Sequence, residues 1–188
     1  MEIYTDASIN GNKFGLGILF IDSNDNEKKY SFGLKIKDIR KELFDNKPTT
    51  DLKYIKISND PNIGEGLSIL RSLQILTTYK NEKCVLYTDS LNFFNQLNNL
   101  KKTRNKLHSV IINRCKRLTH KKNVDVRWIK AHVGVYGNEI ADKLAKAARR
   151  KISDDMFLVK ITQKIKENRQ LNIREQLRYN NLTNNIKI

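Results

Sequence analysis

Apolar and polar residues follow two periods along this chain, a β-like one up to about residue 36 and a mostly helical one from about residue 65. "MEIYTDAS" reads as a short apolar strand. "FGLGILFIDS" reads as a second, with Gly15 and Gly17 placed where another backbone must approach closely. "NDNE" is a turn and "KKYSFGLKI" a third strand, so the first three strands form an antiparallel meander. Glu65 to Lys80 carries Leu67, Leu70, Leu73, Ile75 and Leu76 at helical spacing, and "KCVLYTDS" is a fourth strand. Two helices follow: Ser90 to Leu100 with Phe93, Phe94 and Leu97, and Asn105 to Thr119 with Leu107, Val110, Ile111 and Leu118. "VDVRWIKAH" is a fifth strand, ending at His132, with Trp128 expected in the core. "GNEIADKLAKAARR" is a strong helix with Ile140, Leu144 and Ala147 on one side. The order β-β-β-α-β-α-α-β-α predicts an α/β fold, a mixed sheet with helices on its faces.

Two stretches stand outside that order. Between Lys37 and Asp60 lie a helix-like "IRKELF", a "NKPTTD" turn and an alternating "YIKIS". From about Lys151 the composition shifts. Phe157, Ile161 and Ile165 repeat every four residues, a second amphipathic piece surrounds Leu171 to Leu177, and the chain ends in an Asn-rich tail. The reading is a core domain over 1–150, with an insertion within about 37–60, and a basic helical extension over 151–188 that is a candidate contact for a protein partner.

The formal net charge of +16 over 188 residues is the strongest bulk signal and points to a polyanionic partner, nucleic acid first. No apolar run approaches the roughly 18 residues of a spanning helix, so no membrane role is expected. Cys84 and Cys115 lack metal-ligand spacing, and with no secretion signal the expected compartment is intracellular and reducing.

Two acids repeat one context: "YTDAS" holds Asp6 and "YTDSL" holds Asp89. Parallel strands ending on one sheet edge would bring the two together, and paired carboxylates become favourable around a divalent cation held by oxygen ligands. Each acid also has an ordinary reading, as a turn residue or helix N-cap. Glu65, framed as "GEG" at a helix start, is weak alone because Glu suits a first helical turn. Asp142 is less easily dismissed. It is a poor helix former between Ile140 and Leu144, carried toward the inner face of the last core helix, and His132 stands ten residues before it.

These residues resemble the ribonuclease H family of the type 1 and retroelement kind. "YTDAS" is similar to its first strand, "GEG" to its Glu-bearing helix, "YTDSL" to its fourth strand, and "VRWIKAHVGVYGNEIADKLAKAA" to its His-loop-Asp end, the most specific stretch. The resemblance covers about residues 1–150. It implies a five-stranded sheet of order 3-2-1-4-5, with Asp6, Glu65, Asp89 and Asp142 as metal ligands and catalytic residues, and His132 as a catalytic residue that assists water or product handling. It implies two Mg2+ ions, with Mn2+ as a substitute, bridged by Asp6. The activity implied is endonucleolytic hydrolysis of the RNA strand of RNA–DNA hybrids, leaving 5′-phosphate and 3′-hydroxyl ends. Ser8, Asn10, Asn62 and Ser90 are implied contacts to the hybrid. Lys101, Lys102 and Arg104 open a run to Lys122 that contains no acid, in the region where the family meets the DNA strand. The expected state is a monomer. Two other readings stay open: a non-catalytic nucleic-acid-binding domain of a larger assembly, and a DNA-acting nuclease of the same superfold.

Overall fold

The structure, a computed structural model, describes residues 1–39, 60–79, 83–167 and 169–184. The "NKPTTD" turn, the "YIKIS" strand and nearly all of "IRKELF" lie outside these residues. The strands are β1 Glu2–Asn10, β2 Lys13–Ile21, β3 Glu27–Lys35, β4 Cys84–Thr88 and β5 Val124–Trp128. The helices are α1 Pro61–Leu76, α2 Leu91–Leu97, α3 Lys106–Lys122, α4 Tyr136–Lys166 and α5 Ile173–Asn184, with one further helical turn at 36–39. They form two compact units, Met1–Arg149 and Arg150–Ile188.

In the first unit the sheet order is β3-β2-β1-β4-β5, as the resemblance implied. The three hairpin-linked strands are antiparallel, and β1, β4 and β5 run parallel. β2 is buried from Phe14 to Phe20, which requires cover on both faces. On one face Phe14, Leu16, Ile18, Ile3 and Leu86 pack with Leu67 and Leu73 of α1 and Leu107 and Ile111 of α3. On the other, Tyr4 and Leu19 pack with Ala141 of α4.

That second face corrects the expected helix stripe. Ala141, Ala145 and Ala148 are buried, whereas Leu144 is only partly so and Ala147 is exposed. The reason lies in β2. A Cβ on Gly15 or Gly17 would collide with the backbone carbonyls of Ala145 and Ala141. Helix and strand meet backbone to backbone, and only the alanine stripe fits between them.

Other boundaries also move. β1 does not end at Asp6: it continues to Asn10, paired with β2 alone beyond Thr5. α1 starts four residues before Glu65, because the Asp60 side chain accepts the Asn62 amide and Pro61 occupies the first turn. β5 stops at Trp128, leaving His132 in the following loop with φ 54°. Trp128 is 41 % exposed rather than core, its indole Nε1 donating to the Asp89 carbonyl at 3.1 Å.

The second unit consists of the last part of α4 and α5. Lys164 pairs with Glu175 at 2.7 Å, and Arg178 pairs with Asp154 at 2.9 Å while lying over the Phe157 ring. The boundary at 150 falls inside the continuous α4, and the expected second amphipathic piece begins as a helix at Ile173. Cys84 and Cys115 are both free and buried. No helix among the described residues is long and apolar enough to cross a membrane.

Candidate metal centre and active site

The two Tyr-Thr-Asp strings lie side by side in register. Tyr4 pairs with Tyr87 and Thr5 with Thr88 across the parallel β1–β4 ladder. The tyrosine rings stack at 4.8 Å, and both threonines are wholly buried. The next residue on each strand is the acid. β4 ends there and β1 does not, so the β4 side of β1 is open from Asp6 onward. Glu65 reaches that opening from α1. Its flanking glycines make the approach feasible: a Cβ on Gly64 would strike Ile9 and Ala7 of β1, and one on Gly66 would strike the Phe93 ring of α2.

Asp6, Glu65 and Asp89 each offer a carboxylate oxygen within 4.8 Å of the others. The electrostatics follow. Burial, then the neighbouring Asp89 charge, pushes the Asp6 carboxyl up to about 7 against the opposing hydrogen bond from the Ala7 amide at 2.7 Å, with Asp142 adding to the rise. Burial, then Asp6 and Asp89, holds Glu65 well above the usual carboxylate range. Glu65 Oε2 is buried without a hydrogen-bond partner. Three converging carboxylates and an orphaned oxygen form an oxygen-only donor set that fits a hard divalent cation.

Asp142 joins through Asp6, within hydrogen-bonding reach of its carboxyl. Its Oδ2 also accepts from Lys146 Nζ at 2.6 Å, one helical turn on. Its position depends on the backbone contact above, since Gly17 is the β2 partner of Asp6 and lies under Ala141.

The remaining expected residues divide. His132 is exposed in its loop, with no hydrogen bond to the four acids among the described residues. Ser8 Oγ accepts from Arg149 Nε at 2.9 Å. Asn10 is exposed at the end of β1. Asn62 is half-buried one turn before Glu65. Ser90 caps α2, its hydroxyl accepting the Phe93 amide at 3.4 Å. Lys101, Lys102 and Arg104 are exposed before α3, without an acidic partner among the described residues.

Sequence reasoning passed over Asn138. It is 3 % exposed and donates from Nδ2 to Asp89 Oδ2 at 3.2 Å. Its signal was its place one turn before Asp142, a polar residue on the face that α4 turns toward the sheet. Asn92, which donates to Asn62, was also missed and had no comparable signal.

The family model described as RNase H matches residues 1–150. No curated protein matches the chain. Among solved structures, the chain is similar to RNase H1 from the halophilic archaeon Halobacterium salinarum NRC-1, with 16 % identity, TM-score 0.60, and 78 % of this chain and 95 % of that chain covered. It is similar to LC11-RNase H1, isolated from compost by a metagenomic approach and solved in complex with an RNA/DNA hybrid: 15 % identity, TM-score 0.56, 78 % and 97 % covered. It is also similar to part of the prototype foamy virus protease-reverse transcriptase, with 14 % identity, TM-score 0.53, and 79 % and 20 % covered. At these identities the structures attest the fold, and the family match spans the sheet, α1 to α3, the first half of α4 and all four acids: the chain belongs to the ribonuclease H family.

Proposed function

We propose that this protein is an endonuclease that hydrolyses the RNA strand of RNA–DNA hybrids with divalent metal ions, Mg2+ first, leaving 5′-phosphate and 3′-hydroxyl ends. The observation that carries the reading is the convergence of Asp6, Glu65 and Asp89, with the buried oxygen of Glu65 lacking a partner. The hybrid bound to the similar LC11-RNase H1 supports the choice of substrate.

Asp6, Glu65, Asp89 and Asp142 would hold the ions, with Asp6 at the centre because it neighbours the other three. With two ions held there, the site would gain water activation and charge compensation for the leaving 3′ oxygen. The protein supplies position. Asn138 orients the Asp89 carboxylate, Lys146 orients that of Asp142, and the Ala7 amide holds one oxygen of Asp6. His132, exposed at a left-handed turn, would assist water or product handling, the role that the family resemblance implies. Lys101, Lys102 and Arg104, exposed and without an acidic partner among the described residues, offer positive charge to the phosphate backbone.

The test compares a labelled RNA–DNA hybrid, duplex DNA and branched DNA on one gel, with Mg2+ or EDTA. Metal-dependent cutting of the RNA strand alone is expected, abolished by Asp6→Asn or Asp89→Asn while hybrid binding survives. Full activity of both variants in Mg2+, or cutting of DNA substrates only, would overturn the proposal.

A further inference from the structure

Asp89 stands where the sheet stops holding the chain. The last rungs of β4 pair Thr88 with Thr5 of β1 and with Trp128 of β5, and neither ladder includes Asp89. Asp6, by contrast, lies mid-strand opposite Gly17 of β2. Past its last rung a strand turns freely about its backbone dihedrals. A carboxylate there needs another hold if it is to meet Asp6 and Glu65 in one place.

That hold comes from three elements. The Leu91 amide, in the first turn of α2, donates to the Asp89 carbonyl at 3.0 Å. The Trp128 indole Nε1 donates to the same carbonyl at 3.1 Å from β5. Both lone pairs of that oxygen are then engaged. Asn138 of α4 donates to the carboxylate itself at 3.2 Å. The Leu91 bond is local to the helix start. The Trp128 bond is not, since it joins residues 39 positions apart. Packing alone does not account for Trp128. The side chain is 41 % exposed at the end of an edge strand, where water can serve an indole N–H, yet that N–H bonds the backbone of an acid in the cluster.

We propose that Trp128 is a positioning residue for the metal centre: its indole N–H stands in for a ladder amide beyond Thr88 and fixes the backbone of Asp89, so that the carboxylate is preset for a divalent cation. The inference rests on the metal-centre reading and adds the group that sets one of its ligands from the edge of the sheet.

Two replacements remove the N–H and keep an aromatic ring. Trp128→Phe is the simpler. Site-specific incorporation of 3-benzothienylalanine at position 128 is the closer isostere, with sulfur where the N–H stands. Mn2+ binding is measured by calorimetry well below the melting temperature of each protein, so that loss of fold does not enter the affinity. Both replacements should weaken Mn2+ binding roughly three- to tenfold. Trp128 is the one tryptophan of the chain, so its indole gives a single N–H resonance in the proton NMR spectrum. Mg2+ titration of wild type should move that resonance with the dissociation constant that calorimetry gives for Mg2+. Unchanged Mn2+ affinity in the isostere, or an indole resonance that stays in place while Mg2+ binds, would overturn the proposal and leave the metal centre intact. A wild-type protein that binds neither ion would remove the metal-centre reading itself.

Discussion

The Tyr4 ring stacks on the Tyr87 ring at 4.8 Å, and this contact sets two acids of the site in register. Each tyrosine stands two residues before an acid on a parallel neighbour, so sliding one strand would separate Asp6 from Asp89. Tyr4→Leu should therefore lower stability by about 1–3 kcal/mol and weaken metal binding together. Urea denaturation and Mn2+ titration of the same variant check this. A stability loss without a change in metal affinity would show that the rings hold the sheet and not the site.

Gly17 should be intolerant of even one methyl group. A Cβ there would meet the Ala141 carbonyl, next to Asp142. Gly17→Ala should cost at least about 1–3 kcal/mol by overpacking and should reduce metal-dependent activity more than Gly11→Ala, which lies in the β1–β2 turn away from the acids. Activity measured well below the melting temperature of each variant separates displacement of Asp142 from unfolding.

The acid cluster opposes folding when no metal is bound. The Asp6 carboxyl is raised to about 7 in the folded protein from an ordinary value near 3.8. Folding therefore favours the protonated form. That contribution is fully present below pH 3.8, declines as pH rises, and is lost above about 7. Asp6→Asn mimics the protonated form, so in EDTA it should be more stable than wild type at pH 8, on the order of 1–3 kcal/mol. The advantage should shrink at pH 5 and vanish near pH 3. Denaturation at the three pH values reads the trend.

Mg2+ should raise the melting temperature of wild type and leave that of Asp6→Asn nearly unchanged, because binding to the folded state alone stabilises it. Asn138→Ala should fall between them. It frees Asp89 Oδ2, and loss of a partner that orients a ligand typically costs about 10–100-fold in metal affinity. Titration calorimetry with Mn2+ measures the difference.

Replacing Lys101, Lys102 and Arg104 with Gln should weaken binding to hybrid and duplex DNA alike. It should also reduce the slope of log affinity against log salt by up to about 3.

The sequence by itself determined the strand and helix order, because side-chain period reports secondary structure directly: β2 and the Leu67–Leu70–Leu73 face of α1 needed no tertiary information. It also determined which acids were candidates, since Asp142 inside an apolar helix and the repeated Tyr-Thr-Asp strings are local anomalies. Only the tertiary structure decided how they meet. The alanine stripe of α4 took the place expected of Leu144 and Ala147, with Ile140 packed beside it, because two glycines on a distant strand left room for nothing larger. Asp6 proved to be a mid-strand residue beside an opening, because β4 stops where β1 continues. Trp128 left the core because β5 ends with it. Asn92 became visible only as the partner of a residue 30 positions away, and the role of Asn138 only through its bond to a residue 49 positions away. A side chain's period is written in its neighbours along the chain, but its hydrogen-bond partner is set by packing across it.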